Sequence, residues 1–432
     1  MGVTREGLAV GKHRRRTIWA VSLSILVAGL AVGVAGFAGV LQPTAAMPSP
    51  SPSPSPEPLP QAPEFPGIVE NTDPVVFTAV FAGDILPHGS LVTSSERTSW
   101  ATIFEKPTPW IAGADLGICH LESPVAPPGT SPSGYPRFAA PAALITGIRD
   151  SGWDGCSTAS NHTVDQGMKG VIATLEEFDN HKLGVSGSAR SQQEYESPQL
   201  YTVVAAGRQI TVANISFSYG TNGLPKPGGN AWTVNTFNAG ASNVDPILKR
   251  AQEARDMGAD IVIASVHCCV EYRTQPTAAQ QLTAQRIANS GLVDLYVGHH
   301  AHVPQPIVKL DGGPNGDGMW VAYGLGNFVS NQSSHCCSAN TSNGILMTAT
   351  FSVDVDGVVD VGVEWTATTV DRGNRHKMYI LSDVPNGAGS LSASQVSDRY
   401  RRVREAVGTA APERTEPAEK HAIVVYPLPR DA

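Results

Sequence analysis

Apolar runs that stop abruptly on a polar tip govern the body of this chain. Val75-Val76-Phe77-Thr78-Ala79-Val80-Phe81 leads into Ala82-Gly83-Asp84, and the form recurs at 114–121, 155–159, 210–217, 260–266 and 292–297. A strand with both faces covered must be apolar almost throughout, so these runs belong inside a sheet. Between them, 139–151, 167–181, 245–257 and 277–290 read as helices, the third opened by an Asp-Pro pair suited to a first turn. Strand alternating with helix predicts an α/β body with polar loops gathered at the strand ends. Residues 344–353 and 358–370 alternate as antiparallel strands do, 393–407 reads as a charged helix, and a Pro/Glu-rich tail with little capacity to pack follows.

The region ahead of this body supplies an address. Residues 18–41 carry no charge, and as a helix at ~1.5 Å per residue they extend about 36 Å, enough to span a bilayer. The basic cluster Lys12-His13-Arg14-Arg15-Arg16 precedes them and would stay cytoplasmic, so the body is expected outside. A retained single-pass anchor is favoured by the length of the run; a signal cleaved near Thr44-Ala45-Ala46, giving a secreted protein, is the alternative. Ten of the 33 prolines fall in 43–66, mostly in a Ser-Pro alternation that favours extended polyproline II and makes a spacer. The expected organisation is a basic tail (1–17), an anchor (18–41), a Pro/Ser-rich linker (42–67), a main domain (68–382), and a terminal helix with a flexible tail (383–432). The formal charge of −8 stands despite five Lys/Arg in the first 17 residues, so the body is acidic and nucleic acid is not an expected partner.

Seven of the twelve histidines (His88, His120, His162, His267, His299, His300 and His302) fall at or just past expected strand ends. A lone histidine says little, but strand ends on one sheet edge share a cleft. Asp84, Glu122 and Asn161 join them, and a mixed imidazole, carboxylate and amide set suits zinc, manganese or iron.

Six ordered segments carry a family resemblance. They are Phe81-Ala82-Gly83-Asp84, Leu121-Glu122-Ser123-Pro124, Ser160-Asn161-His162 with Asp165 and Gly167, Val266-His267 with Glu271-Tyr272, Gly298-His299-His300-Ala301-His302-Val303, and Tyr323-Gly324-Leu325-Gly326-Asn327-Phe328. Over about 75–335 the chain resembles the CapA family of capsule and poly-gamma-glutamate biosynthesis proteins, whose domain is similar to calcineurin-like metallophosphoesterases. The resemblance implies a metallo-dependent phosphatase-like, four-layer α/β/β/α sandwich with two divalent metal ions at the strand ends. It implies Asp84, Glu122, Asn161, His267, His300 and His302 as ligands, and His162, with Asp165, in the catalytic role of meeting the substrate phosphate. Two cations ~3.5–4 Å apart can share an oxygen ligand and neutralise the charge of an in-line displacement.

The chain also departs from that pattern. Phosphoesterases usually carry Asp-x-His in the first block, whereas Leu86 stands here in the place of the histidine and His88 comes two residues later, as a substitute ligand or a loop residue. Glu122 replaces an Asp, and His120 replaces the Asn common in the capsule family. His-x-His spacing favours His300 and His302, with His299 behind them or as a further ligand. Arg137, Glu271 and Tyr272 are candidate substrate contacts or solvated loop residues, and Asn327 sits in a Gly-rich turn that either approaches the cleft or closes the sheet.

Six cysteines in an exported protein are expected to pair. Bridges are predicted between the adjacent pairs Cys268-Cys269 and Cys336-Cys337, a soft-metal site being the rival. Cys119 and Cys156 are expected as buried residues or a strand-to-strand bridge. Three functions remain open: a metal-dependent phosphoester hydrolase of capsule or poly-gamma-glutamate synthesis or export, a non-catalytic scaffold that binds anionic surface polymer within a membrane synthase complex, and a secreted nucleotidase.

Overall fold

The computed structural model describes residues 73–430 apart from 206 and 422. The basic tail, the expected anchor and the Pro/Ser spacer lie outside the described residues. Among the described residues no helix is long and apolar enough to cross a membrane.

The body is α/β, as its alternation required. In chain order, β1 (Val75–Leu86), β2 (Leu116–Leu121), β3 (Gly155–Ser157) and β4 (Gly184–Ser186) open a first sheet. A second takes β5 (Gln199–Ala205), β6 (Arg208–Ser218), β7 (Ile261–His267), β8 (Leu295–His299), β9 (Ile307–Leu310) and β10 (Met319–Ala322). The chain then returns to the first sheet with β11 (Asn327–Ser330), β12 (Asn343–Val353), β13 (Val359–Asp371) and β14 (Lys377–Ile380). A short hairpin, β15 (Gly387–Ala388) with β16 (Leu391–Ser392), precedes the helix Ala393–Val407, and β17 (Val424–Pro427) ends the series. Strand order is β14-β13-β12-β1-β2-β3-β4, with β11 also beside β1, in the first sheet and β17-β5-β6-β7-β8-β10-β9 in the second.

Alternation along the strands sends one set of side chains between the sheets. Phe77, Phe81, Ile118, Val203, Val212, Ile263, Val297 and Phe351 share that inner core. The opposite faces are capped by helices: Leu144, Ile148, Leu175 and Phe178 of Ala143–Asp150 and Gly167–Asn180 pack on the first sheet. Ile247, Ala251, Ala284 and Ile287 of Asp245–Asp256 and Ala278–Asn289 pack on the second. The result is four layers, helix, sheet, sheet, helix. Strands β1 to β4 run parallel, as do β6, β7, β8 and β10, so each series presents its C-terminal ends along one edge of its sheet.

Two expectations are corrected. The tail is not a flexible end: β17 pairs antiparallel with β5, and Arg430 is buried in an ion pair with Glu194. The tail packs because the edge of β5 offers unpaired backbone groups that Val424–Pro427 satisfies. Nor do the two adjacent cysteine pairs cross-link to each other. Cys268 bonds to Cys269 and Cys336 to Cys337, while Cys119 and Cys156, registered partners on β2 and β3, form the strand-to-strand bridge. With every cysteine paired among the described residues, a site of free thiolates has no donors.

Candidate metal centre

Register brings the site together. Asp84 is the partner of Asn327 on β11 and of His120 on β2, and His267 at the end of β7 is the partner of His299 at the end of β8. Close approach at this edge requires glycine: a Cβ on Gly83 would run into the Gly326 carbonyl. The loop after β8 then turns sharply, with His300 at φ 83° and His302 at φ 56°. A side chain in the left-handed region is strained, and such strain is retained where a loop must aim its side chains.

The side chains converge on Asp84 and Glu122, both fully buried. His302 Nδ1 lies 3.0 Å and His299 Nδ1 3.6 Å from the Asp84 carboxylate, which also accepts the His300 N–H at 3.2 Å. His267 Nε2 and His302 Nε2 lie 3.8 and 3.7 Å from Glu122 Oε1. Four overlapping donor groups have ligand atoms within 4.8 Å of one another: Asp84/Glu122/His302, Glu122/His267/His300, Asp84/His120/His299 and Glu271/His300/His302. Asn161 Oδ1 stands 2.7 Å from His267 Nε2. All six residues expected as ligands thus meet at one place.

Burial sets the protonation of the cluster. It pushes the His299 and His300 rings down to about 3, and His120 and His267 well below their usual range, so these four are neutral lone-pair donors near pH 7. Burial disfavours the charge of His302 too, but Glu122 and Asp84 beside it win and lift it to about 10. Glu122 is raised by burial to about 7. For Asp84 burial acts upward, yet its bond to His302 and the neighbouring imidazoles hold it low.

Divalent cations fit this donor set. Both Glu122 oxygens, both His299 ring nitrogens and His300 Nδ1 are buried with no hydrogen-bond partner among the described residues. A buried carboxylate without a partner is costly unless a cation satisfies it. The rings of His120 and His299 stack at 4.0 Å and 14°, so their lone pairs run side by side, poorly placed to converge on one ion.

Beside the cluster opens a cavity of about 770 Å³ whose lining includes Asn161, His162, Asp165 and His302. His162 Nδ1 pairs with Asp165 Oδ2 at 2.7 Å, and its Nε2 lies 3.5 Å from the Asn222 amide. Burial opposes the charged form of His162, but the bond to Asp165 raises its pKa overall. Arg137, Glu271 and Tyr272 line the same cavity, as does the Cys336–Cys337 bridge.

Two candidates stand elsewhere. Asn327 does not line the cavity; it is buried, with Oδ1 3.0 Å from His302 Nδ1 and its amide donating to the carbonyls of His302 and Thr341 and to Gln332. Its place opposite Asp84 makes it a holder of His302 rather than a substrate contact. His88 lines the cavity wall with Nδ1 3.1 Å from the Leu86 carbonyl and belongs to none of the four donor groups. Sequence reasoning passed over Asn222, Asn331 and Gln332, which lie on loops without a motif. It also gave His120 no role in the site, although its place at the end of β2 makes it the registered neighbour of Asp84.

Comparison with known proteins points to a family. Residues 78–332 match the family model described as bacterial capsule synthesis protein PGA_cap. The PGA biosynthesis protein CapA of Bacillus subtilis (strain 168) is 27% identical over 60% of this chain and 64% of its own length. The capsule biosynthesis protein CapA of Bacillus anthracis is 24% identical over 59% and 60%. The chain therefore spans less than two thirds of the length of these curated relatives. Among solved structures, the calcineurin-like phosphoesterase YfkN from Bacillus subtilis aligns at a TM-score of 0.38 and 12% identity, over 77% of this chain and 97% of that one.

Proposed function

The chain belongs to the bacterial capsule synthesis protein PGA_cap family, and from that premise we propose a membrane-anchored, extracytoplasmic protein of capsule polysaccharide or poly-gamma-glutamate biosynthesis or export that acts as a metal-dependent phosphoester-type hydrolase. The observation that carries the hydrolase reading is the buried Glu122 carboxylate, without a hydrogen-bond partner among the described residues, between two donor groups, Asp84/Glu122/His302 and Glu122/His267/His300. With Asn161 beside His267, Asp84, Glu122, Asn161, His267, His300 and His302 would hold two divalent ions, of manganese, zinc or iron. Such ions, when bound, polarise a phosphoryl oxygen and activate water.

The remaining work falls to the chain. His162 is held by Asp165 through Nδ1, which leaves Nε2 as the atom that hands a proton to the leaving oxygen at the cavity wall. Arg137 meets the negative charge of the substrate, and Phe138, in edge contact with His162 at 4.8 Å, limits water around the ring. The uncharged run 18–41 behind its basic cluster is the tether to the cell membrane, and anionic polymer or a phosphoester, within a membrane synthase complex, is the partner class.

The test is hydrolysis of bis(p-nitrophenyl) phosphate by the full chain supplied with Mn²⁺ or Zn²⁺. Turnover should require the metal and fall at least ~100-fold in Asn161→Ala and His267→Ala. Tight metal binding without turnover would instead support a non-catalytic polymer-binding subunit, a reading favoured by Leu86, an apolar side chain on the cavity wall.

A further inference from the structure

A buried hydrogen-bond chain runs away from the cavity behind His267. His267 Nδ1 lies 2.9 Å from His120 Nε2, His120 Nδ1 lies 2.8 Å from Ser157 Oγ, and Ser157 Oγ lies 3.3 Å from the Cys119 carbonyl oxygen. All four residues are buried. The Cys119 carbonyl can only accept, so it gives the chain a terminal acceptor and allows a run in which every proton points away from the site. In that direction Ser157 donates to Cys119 and accepts from His120 Nδ1–H. That leaves His120 Nε2 bare, to accept from His267 Nδ1–H, and it leaves His267 Nε2 without a proton.

His267 Nε2 is the nitrogen that faces the site, 3.8 Å from Glu122 Oε1 and 2.7 Å from Asn161 Oδ1. In this tautomer a ring lone pair and an amide oxygen lone pair point at one another. A cation that took both as ligands would favour this direction over the reverse one, in which Ser157 donates to His120 Nδ1, His120 Nε2–H to His267 Nδ1 and His267 Nε2–H to Asn161 Oδ1.

We propose that His120, oriented by Ser157, is a positioning residue that holds His267 in the tautomer whose Nε2 is free to bind a divalent cation. This rests on the metal-centre reading above and adds to it a residue outside the ligand set. The alternative tautomer of His267 would place a proton on Nε2 and block that position. Outer partners of this sort set the ring orientation and basicity of a metal-bound histidine.

The experiment is calorimetric titration of the EDTA-stripped full chain with Mn²⁺ and Zn²⁺, in the wild type, His120→Leu, His120→Gln and Ser157→Ala. His120→Leu should weaken one binding event by about 10–100-fold without changing the number of ions bound. His120→Gln should recover most of the loss, because its amide carbonyl can accept from His267 Nδ1–H, whereas a role in filling space would treat Leu and Gln alike. Ser157→Ala cuts the same chain with a smaller change and should weaken binding by a lesser factor; it carries the test if His120→Leu does not fold. Wild-type affinity in His120→Leu, or in Ser157→Ala where that variant stands in, would overturn the proposal, as would equal losses in His120→Leu and His120→Gln. A wild-type chain that binds no cation would overturn it together with the metal-centre reading; ions that bind regardless of residue 120 would remove this inference alone.

Discussion

Asp165 Oδ2 holds His162 Nδ1 at 2.7 Å and at the same time accepts the backbone N–H of Phe138 at 2.8 Å. The carboxylate is thereby fixed from two sides, and the imidazole it orients keeps Nε2 toward the cavity. Asp165→Asn should lower kcat by about 10²–10⁴-fold with a small change in KM, the range of a lost general acid. It should also shift the alkaline limb of the rate profile to lower pH, since the bond that raises the His162 pKa is weakened. A pH series of kcat in both proteins checks this; an unmoved alkaline limb would remove His162 from the acid role.

Asn327 grips His302 from the side away from Glu122. Asn327→Ala removes that hold and leaves the carbonyls of His302 and Thr341 without their donor. Metal affinity should fall about 10–100-fold, and apo stability by about 1–3 kcal/mol for the unsatisfied buried groups. Calorimetric titration and urea unfolding read the two effects separately.

Glu122 is buried without a hydrogen-bond partner among the described residues, and burial raises its pKa to about 7. The apo protein bears a cost that the neutral isostere avoids, so Glu122→Gln should be more stable without metal, on the order of 1–3 kcal/mol. The same variant should lose the stabilisation that added metal gives the wild type, about 2.7 kcal/mol at a hundredfold excess over Kd. Thermal melts with and without Mn²⁺ check both; a metal-dependent rise that persists in the variant counts against Glu122 as a ligand.

His376 is buried away from the donor cluster, with Nδ1 2.8 Å from Ser94 Oγ and Nε2 2.8 Å from Asn331 Oδ1. Burial lowers its pKa to about 4 from the ordinary 6.5. The folded form therefore binds fewer protons than the unfolded one between those values. Its contribution to stability is complete above pH 6.5 and is lost as the pH falls toward 4. His120, His267, His299 and His300 act in the same direction and His162 and His302 against it, so the wild type should weaken in mild acid. His376→Gln should show a shallower decline in Tm between pH 7 and 4; identical slopes would show that this ring takes no part.

The tail is anchored by Arg430, which pairs with Glu194 at 3.0 Å and donates to the Ser188 carbonyl at 2.8 Å. Removing one partner of a buried pair typically costs ~3–5 kcal/mol. Arg190 also bonds Glu194, so Arg430→Ala should cost less, about 2–3 kcal/mol in urea unfolding. A change below ~0.5 kcal/mol would mean that the tail adds nothing to the fold.

Much of this was legible in the chain because it is written locally. The helices lie within a few residues of their expected places, 245–257 against Asp245–Asp256 and 277–290 against Ala278–Asn289, since apolar periodicity and caps act over one or two turns. Strand β4, three residues long, and β17 carry too few side chains for a period to stand out, and they form because a neighbouring strand offers backbone partners. The adjacent cysteines show the same limit. Their exported setting argues for pairing, but whether each bonds to its neighbour or across the cleft depends on how two loops approach.

By itself the sequence determined which residues end each strand, and hence that Asp84, Glu122, Asn161 and the histidines would crowd one edge of an α/β body. Only the tertiary structure decided their division of labour: Asn327 holds His302, His88 stands on the cavity wall, and His120 lies behind His267. The reason is that composition and spacing fix the chemical kind of a donor and the face it occupies. Which nitrogen meets which oxygen is set by strand register and by the approach of two sheets, over separations of a hundred residues and more.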